Sequence, residues 1–497
     1  MSNLFELERL RVQAEIDSGK PADGRNKLGQ FATPSKLALQ ILTHAKKLMK
    51  GIPKVKFLDP AIGSGSFYSA LLETFDAERI SEARGYEIDL AFANAATELW
   101  GDSGLKVIPG DFTTQEPKAD YNLIISNPPY VRHHHLSADC KNRLRNTVAQ
   151  ELGLEVSGLT GLYCYFLLLC HQWLADDGIA GWLIPSEFMD VNYGRQIKRY
   201  LLEQVELLQI HRFDPAEVQF DDALVSSAVV WFRKRKPGKS LKVRFTFGGT
   251  LDEPGVERSI PAKALLVDAK WTRYPELNVV IRDEECTRLG DLLKIRRGLA
   301  TGDNKFFILS KERINELSLP MECFKPILPP PRMMKESEVF ADDHGTPLLP
   351  RQDFLLDTTL SMEQIRRSYP ALADYLELGH SVSMGYLCAH REPWYSQEIR
   401  QPAPLLCTYM GRVTNGSSNP FRFILNHSTA VATNVYLMLY PMPMLAERLK
   451  NEPGLLKKIW KKLNSIPHKV LCCEGRVYGG GLHKLEPKEL ANVPLEI

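Results

Sequence analysis

The chain has 497 residues, a hydrophobic fraction of 44% and a formal net charge of only +2. This length exceeds one ordinary domain and predicts two, each with its own core. The near-neutral charge excludes a polycationic tail protein, so any nucleic-acid contact must come from local basic patches. Nine scattered cysteines form neither a disulfide framework nor a CxxC metal pattern. The longest apolar stretch, 162–174, is too short to span a bilayer. We therefore expect a cytoplasmic protein without a membrane partner.

The N-terminal part of the chain predicts two helices, at 4–16 and 35–48. Thr33 precedes Pro34 and is suited to cap the second helix, which is its simplest role. Segment 55–67 then predicts a short strand ending at Asp59 and a glycine turn that leads into a helix. Such a turn lets a ligand approach the backbone, and a helix N-terminus offers free amides. No Walker lysine follows, and Asp59 would repel phosphate, so we expect an unphosphorylated ligand.

Three further strands are predicted to end in polar residues. Glu87 lies about 20 residues after Gly65, close to the spacing at which a second-strand acid binds ribose hydroxyls. Asp111 and Phe112 follow the third strand, and Asn127 follows the apolar run 121–126. Ligands bind at the carboxyl edge of open α/β sheets, so these strand ends predict a nucleoside-type cofactor.

The fourth strand end carries the tetrapeptide Asn127-Pro128-Pro129-Tyr130. Because neither proline can continue a β-ladder, the tetrapeptide forms a rigid tip. The Asn127 side-chain oxygen and the Pro128 carbonyl would form a pair of hydrogen-bond acceptors beside the π-face of Tyr130. This set suits a planar substrate that bears an amino group. A simple proline turn after a strand is the alternative.

These motifs, in their order along the chain, closely resemble those of gamma-class adenine-N6-specific DNA methyltransferases of type II restriction-modification systems. The matching segments are Thr33-Pro34, DPAIGSG at 59–65, GYEID at 85–89, GDF at 110–112 and NPPY at 127–130. The resemblance implies a doubly wound, Rossmann-like α/β methyltransferase sheet followed by a C-terminal mixed α+β target-recognition domain. We place the catalytic domain, with its N-terminal helix, at 1–240 and the recognition domain at 241–497, with a basic linker at 233–239.

The same resemblance implies S-adenosylmethionine as the cofactor. Its site would be lined by Thr33, Asp59, Ala61, Gly63 and Gly65. Glu87 would hold the ribose hydroxyls, and Asp111 with Phe112 would hold the cofactor adenine.

The implied reaction is methylation of an adenine that has been flipped out of duplex DNA. Asn127 and Pro128 would accept the hydrogens of the adenine amine, Tyr130 would form one wall of the base pocket, and Phe220 a second wall. RNA or the side-chain amide of a protein glutamine is the alternative substrate, because these amines also suit paired acceptors. A non-catalytic DNA-binding subunit is a further alternative, disfavoured by the intact motifs.

Basic loops supply the candidate DNA contacts. After NPPY come Arg132 and His133, the latter in a run of three histidines that cannot all face one metal ion, so we expect no metal there. Contact with the DNA backbone and a solvated loop are the two readings of this run. In the C-terminal half, glycine-containing segments at 295–307 and 476–485 resemble recognition-domain segments of the same family, with simple glycine hairpins as the alternative. Their candidate DNA contacts are Arg296, Arg297, Lys305, Arg476, Tyr478 and Lys484.

The expected partners follow from this assignment. We expect double-stranded DNA as the substrate and a monomeric enzyme. The residues before Gln30 are too few for a nuclease domain, so any restriction endonuclease would be a separate chain. Base-specific contacts are expected within 309–470, where the sequence reveals no motif that we can interpret.

Overall fold

The computed structural model describes residues 2–19, 29–214, 226–267, 270–274, 287–413, 419–478 and 481–495. The chain divides into two compact units, Met1–Val280 with Tyr478–Gly480, and Ile281–Val477 with Gly481–Ile497. The predicted boundary at 240 precedes this division by about 40 residues. It falls early because two strands beyond it, Lys242–Gly249 and Pro254–Pro261, continue the sheet of the first unit.

The first unit is built on one nine-stranded sheet. Its strands are β1 (Val55–Asp59), β2 (Ile80–Glu87), β3 (Leu105–Pro109), β4 (Tyr121–Ser126), β5 (Leu174–Pro185), β6 (Glu206–Arg212), β7 (Ser227–Arg233), β8 (Lys242–Gly249) and β9 (Pro254–Pro261). They lie in the order β3-β2-β1-β4-β5-β7-β6-β8-β9. Strands β1 to β5 pair in parallel, β7 is antiparallel to β5 and β6, and β8 is parallel to β6 and antiparallel to β9. This doubly wound α/β order confirms the predicted fold class.

Helices cover both faces of this sheet. They are α1 (Ser2–Ser18), α2 (Ser35–Leu48), α3 (Ser66–Thr74), α4 (Leu90–Trp100), α5 (Ala138–Leu152), α6 (Leu162–Leu169), α7 (Arg195–Glu203) and α8 (Ala262–Val267). In β4, Leu123 and Ile125 join one hydrophobic cluster and Ile124 joins the other. Since successive strand residues point to opposite faces, β4 is buried on both sides and therefore reads as a continuous apolar run.

The second unit combines short strands and short helices. Its strands are β10 (Leu293–Arg297), β11 (Ile308–Ser310), β12 (Phe324–Ile327), β13 (Glu338–Val339), β14 (Asp353–Leu356), β15 (Leu405–Thr408), β16 (Met410–Arg412), β17 (Phe423–Asn426), β18 (Tyr436–Pro441), β19 (Arg476–Tyr478) and β20 (Leu482–Lys484). They form a five-stranded sheet, β10-β18-β15-β17-β13, and two three-stranded sheets, β11-β14-β12 and β16-β20-β19.

The helices of the second unit lie between these strands. They are α9 (Leu289–Leu292), α10 (Asn304–Phe307), α11 (Lys311–Glu316), α12 (Met362–Ser368), α13 (Pro370–Glu377), α14 (His380–Ser383), α15 (Tyr386–Ala389), α16 (Pro443–Asn451), α17 (Leu455–Asn464), α18 (His468–Glu474) and α19 (Pro487–Ala491). The unit is thus mixed α+β, as the resemblance implies. Over the described part of the chain, every helix is too short or too polar to cross a bilayer. The described residues also contain no group of three side chains arranged to hold a metal ion.

Candidate active site

Three of the predicted site residues lie at the carboxyl ends of neighbouring strands of the first sheet, where the strand order reverses. Strands β2 and β4 flank β1 in the parallel part of this sheet. Asp59 ends β1, Glu87 ends β2, and Asn127 directly follows β4. A reversal of this kind opens a crevice at the carboxyl ends of the strands, where doubly wound proteins bind their ligands.

Glu87 is tied to the glycine turn that follows β1. One of its carboxylate oxygens accepts a hydrogen bond from the Gly63 amide at 2.9 Å, and the other accepts one from the Asp89 amide at 2.9 Å. The Ile62 amide also donates to the Tyr86 carbonyl at 2.9 Å. The two strand ends are therefore joined through these hydrogen bonds and form one side of the crevice.

The glycine turn itself requires glycine at 65. Gly63 and Gly65 adopt φ values of +55° and +91°, in the region that L side chains rarely occupy. A Cβ atom on Gly65 would lie 2.4 Å from Nε1 of Trp100. That indole nitrogen donates to the Ser64 carbonyl at 2.9 Å, so Trp100 fixes the turn and leaves no room for a side chain.

Asp59 is a buried carboxylic acid at the centre of the site, with 1% of its surface exposed. Its Oδ1 accepts hydrogen bonds from the Ala61 amide at 3.0 Å and the Ser126 hydroxyl at 2.8 Å. Burial raises the pKa of Asp59 to about 7, and the nearby Glu87 charge adds to the rise, while the two hydrogen bonds oppose it. Near neutral pH the group is balanced between its two states, and a cation beside it would favour the ionised one.

The N-terminal helix α1 reaches the glycine turn through a buried ion pair. Arg9 has 1% of its surface exposed and donates to Ser64 Oγ at 2.9 Å and to Glu6 at 2.6 Å. Glu6 also accepts from the hydroxyls of Ser69, at 2.6 Å, and Ser35. This single pair connects the glycine turn with the first turns of α2 and α3.

Four apolar side chains of α1 are exposed, namely Leu4, Phe5, Leu7 and Leu10. Sequence reasoning missed the role of Arg9, because its spacing from Glu6 is no different from that of the exposed pair Glu8 and Arg11 on the same helix.

The amide of Asn127 has a fixed orientation. Its Nδ2 donates to the Phe31 carbonyl at 3.0 Å and to Thr33 Oγ1 at 3.1 Å. Its Oδ1 is buried and has no hydrogen-bond partner among the described residues. Thr33 makes no side-chain capping bond to α2, whose N-cap is Pro34. The hydroxyl of Thr33 therefore serves Asn127, a contact that links two motifs far apart in the sequence.

The tip after Asn127 is held on several sides. Pro128 is buried, and Tyr130 donates its amide to the Gly29 carbonyl and its hydroxyl to the Leu183 carbonyl, each at 3.1 Å. Burial raises the pKa of the Tyr130 phenol well above its usual range. The ring of Phe31 lies 5.6 Å from that of Tyr130, centroid to centroid. Phe31 is thus an aromatic neighbour of the tip that sequence reasoning did not single out, whereas Phe220 lies outside the described residues.

Asp111 and Phe112 have different surroundings. Asp111 accepts from the amide and hydroxyl of Thr113, both at 2.8 Å, and from Arg143 at 3.3 Å. The Phe112 ring is 2% exposed and packs in the core against Tyr86, Phe166 and Trp173, at centroid distances of 5.2–5.6 Å. Because these core contacts enclose the ring, it is not free to pack on a base, and the role of Asp111 with Phe112 at the cofactor adenine stays a prediction.

The candidate DNA contacts of the first unit lie on its surface. Arg132 is exposed, and His133 is half-buried at the start of a short 3-10 turn formed by the three histidines. Adjacent rings of this turn contact one another, with centroids 5.3 and 4.1 Å apart. These positions are compatible with either reading of the run, as a DNA contact or as a solvated loop.

The candidate DNA contacts of the second unit fall into two groups. Arg296 and Lys305 are exposed. Arg297 lies over the Tyr409 ring at 4.1 Å, and its Nε donates to the Asn434 carbonyl at 3.0 Å.

Two further cations of this unit are paired with carboxylates. Arg476 pairs with Glu489 at 2.7 Å, and Lys484 with Glu486 at 2.8 Å. Tyr478, which belongs to the first compact unit, ends β19 and is half-buried. Partner groups within the protein thus hold Arg297, Arg476 and Lys484.

The fold resembles that of a solved restriction-modification enzyme. The chain is similar to the solved structure of the type IIL restriction-modification enzyme MmeI in complex with DNA. The superposed region covers 97% of this chain and 70% of the MmeI chain, with a TM-score of 0.61 and 14% sequence identity. This likeness, together with the sheet order, defines a methyltransferase-type doubly wound fold with an additional C-terminal unit.

The sequence is similar to those of type II methyltransferases. Residues 73–219 match the model of the Eco57I restriction-modification methylase, and residues 266–497 match the C-terminal domain of type II methyltransferase M.Eco57I. Type II methyltransferase M.XamI of Xanthomonas campestris pv. amaranthicola is 28% identical over 93% of this chain and 84% of the relative. Type II methyltransferase M.AccI of Acinetobacter calcoaceticus is 26% identical over 96% of this chain and 87% of the relative. The predicted resemblance to type II restriction-modification methyltransferases is confirmed, while the gamma class and adenine specificity stay predictions.

Proposed function

We propose that the protein transfers a methyl group from S-adenosylmethionine to the N6 amine of an adenine in duplex DNA, as the modification enzyme of a restriction-modification system. The observation that carries this proposal is the fixed amide of Asn127. Both hydrogens of its Nδ2 have acceptors, Phe31 O and Thr33 Oγ1, and its buried Oδ1 is left without a partner among the described residues. An acceptor held in this way is suited to a substrate that brings a hydrogen-bond donor.

Two such acceptors would make an aromatic amine more reactive. Its lone pair is delocalised into the ring, which makes the amine a poor nucleophile. When Asn127 Oδ1 and the Pro128 carbonyl accept its two hydrogens, the nitrogen is favoured in the pyramidal form in which its lone pair is available. The bound cofactor supplies the electrophilic methyl group, and these residues supply orientation, so no dedicated strong base is required.

The opposite side of the crevice fits the proposed cofactor. The glycine turn and the start of α3 leave backbone close to the site, and the Glu87 carboxylate retains acceptor capacity for ribose hydroxyls beside its two amide donors. Asp59, buried near the turn, would be ionised by a cationic ligand, which matches the positive charge of a sulfonium. These features support S-adenosylmethionine rather than a phosphorylated ligand.

DNA is the substrate that the relatives favour. Relatives named type II methyltransferases span both compact units of this chain. Methylation in duplex DNA requires the base to be flipped out, at a cost of a few kcal/mol that an aromatic pocket offsets. Tyr130 and Phe220 are our proposed pocket walls. The proposal includes a monomeric enzyme and a separately encoded endonuclease.

Methyl transfer is the direct test. Unmethylated duplex DNA, tRNA and a mixture of peptides containing glutamine would each be incubated with tritiated S-adenosylmethionine, and labelled DNA digested to nucleosides for mass spectrometry. We expect N6-methyladenine in DNA, and we expect Asn127→Ala to abolish transfer while calorimetry finds cofactor affinity within about threefold of the unmodified protein. Label in tRNA or peptides alone, or on cytosine, would contradict the proposal.

A further inference from the structure

The helix α17 (Leu455–Asn464) of the second unit has one buried face and one strongly basic face. Leu455, Ile459 and Leu463 are buried in the core of this unit. The opposite face carries four exposed lysines, namely Lys457, Lys458, Lys461 and Lys462. We call these four side chains the lysine face.

The lysine face is poorly neutralised. Residues 453–473 contain five lysines and no aspartate or glutamate. Lys457 pairs with Glu338 at 2.8 Å, but Lys458, Lys461 and Lys462 have no carboxylate within salt-bridge distance among the described residues. Like charges four residues apart repel each other on a helix. The fold thus maintains a concentration of positive charge that an external polyanion would relieve.

The helix is rigidly attached to the sheet beneath it. Trp460 donates its indole hydrogen to the Phe423 carbonyl at 2.8 Å, and Asn464 donates to the same carbonyl at 3.1 Å. Asn464 Oδ1 in turn accepts from the Phe423 amide at 3.2 Å. Both backbone groups of one residue in β17 are therefore bound by α17, so the lysines project from a fixed platform.

A groove of about 480 Å³ lies beside the lysine face. It is lined by Ser337, Trp460, Lys461, Asn464 and Ser465. Hydroxyl and amide groups next to a lysine are common donors to phosphate oxygens.

Further cations lie close to the Ser337 side of the groove. Arg422 donates to the carbonyl of Lys335 at 3.3 Å, two residues before Ser337. The acid beside them, Glu336, accepts from the Lys335 amide at 3.0 Å. The Ser337 side of the groove therefore carries cations together with two acids, Glu336 and Glu338, the second of which is paired with Lys457.

We propose that the lysine face and this groove bind the phosphate backbone of duplex DNA without reading its sequence. This inference rests on the proposed function and adds a contact surface outside the motifs that suggested it. Lysines four residues apart rise by about 6 Å along a helix, and phosphates of one strand recur every 3.4 Å or so of duplex axis, so neighbouring lysines can reach separate phosphates. A bilayer is the less suitable polyanion, because the apolar face of α17 is buried and cannot insert.

The test is the salt dependence of DNA binding by the full-length protein. The variant Lys458→Gln/Lys461→Gln/Lys462→Gln removes three exposed charges, and Lys263→Gln/Lys311→Gln/Lys488→Gln removes three exposed charges elsewhere as a matched control. Each lost phosphate contact reduces the slope of log K against log salt by about 0.9. We expect the slope of the first variant to fall by about 2 to 3 relative to the control, with affinity lowered equally for all duplex sequences and an unchanged thermal midpoint.

The outcomes separate this inference from the proposed function. Suppose that the unmodified protein methylates DNA and that both triple variants bind DNA with the same affinity and the same salt dependence as the unmodified protein. The lysine face then does not bind DNA. If loss of the lysine face abolishes cosedimentation with phosphatidylserine vesicles and leaves DNA binding unchanged, the surface is a membrane contact and the inference is overturned. If the unmodified protein neither methylates nor binds DNA, the proposed function itself fails.

Discussion

The hydroxyl of Thr33 accepts a hydrogen bond from Asn127 Nδ2 at 3.1 Å, and this contact helps to decide which end of the amide faces the crevice. In Thr33→Ala the Phe31 carbonyl alone would orient the amide. Since one hydrogen bond contributes about 1 kcal/mol, we expect kcat for methyl transfer to fall by about fivefold. Thr33→Ser, which keeps the hydroxyl, should retain most of the rate in the tritiated methyl-transfer assay. Equal losses in both variants would show that packing of the Thr33 methyl group, and not the hydrogen bond, matters.

The buried pair of Glu6 and Arg9 should stabilise both the fold and the glycine turn. Arg9→Gln would leave a largely buried carboxylate without its partner, and breaking buried ion pairs of this kind costs about 3 kcal/mol. We therefore expect a lower midpoint in urea denaturation and weaker cofactor binding by calorimetry.

Arg11→Gln is the matched control for this change, because it breaks the exposed pair with Glu8 on the same helix. It should leave both quantities unchanged, since such surface pairs add little. Equal effects of the two substitutions would contradict a special role for Arg9.

Gly65 should tolerate no side chain. In Gly65→Ala the strained φ and the 2.4 Å approach of Cβ to Trp100 act together, so we expect a loss of stability above about 2 kcal/mol and loss of cofactor binding. Gly51→Ala tests strain alone, because Gly51 has a φ of +85° and a Cβ atom there would meet no other atom within 4 Å. The free energy of unfolding of that variant, followed by thermal denaturation, should fall by about 1 kcal/mol, and its cofactor affinity should not change. A Gly65→Ala protein that still binds cofactor would show that the turn can open.

Cofactor binding should depend on pH through Asp59. Its pKa of about 7 lies above its ordinary value of 3.8, so between pH 4 and pH 7 the folded protein keeps a proton that the unfolded chain releases, and the free energy of unfolding falls as pH rises through this range. A cationic cofactor favours the ionised form, so its affinity should increase between pH 6 and pH 8. Asp59→Asn should bind more weakly and show no such increase in calorimetry at pH 6, 7 and 8. The same pH profile in both proteins would exclude Asp59 as the source.

Two buried histidines should make the first unit sensitive to acid. Burial lowers the pKa of His44 and of His211 to about 4, from 6.5, so stability is present above pH 6.5 and is lost as pH falls towards 4. At a pH below both pKa values, each histidine has reduced the free energy of unfolding by roughly 3 kcal/mol. His44→Leu should reduce the difference in urea midpoint between pH 7 and pH 5, whereas His344→Gln, at an exposed position, should not. An unchanged difference in the His44 variant would contradict this origin.

The sequence predicts those parts of the site that are encoded locally. Asp59 and Glu87 end strands and Asn127 directly follows one, and strand ends of this kind meet at one edge of a parallel sheet. The bond between Arg9 and Ser64 joins residues 55 positions apart and leaves no local pattern. The packing of the Phe112 ring was not predictable, because an aromatic residue at a strand end can face either a ligand or the core, and here the core contains three aromatic partners.

The domain boundary shows the same limit of local patterns. The basic run at 233–239 resembles a linker, but Arg235 pairs with Glu206 at 2.6 Å and the chain returns to the sheet at β8. In the second unit, strands of two to six residues from distant segments pair with one another, as β13 pairs with β17. Single-sequence patterns contain no record of such pairings.

The attachment of the tip to Gly29, Phe31 and Thr33 has a consequence for inactivation. Asn127 and Thr33 are 94 positions apart, and the bonds that join their segments are a few hydrogen bonds, whereas β4 is buried on both faces. Mild heat or denaturant should therefore loosen the short segment 29–33 before the sheet and the buried helix α2 unfold. The enzyme would then lose its aligned acceptor while its circular dichroism spectrum still looked native.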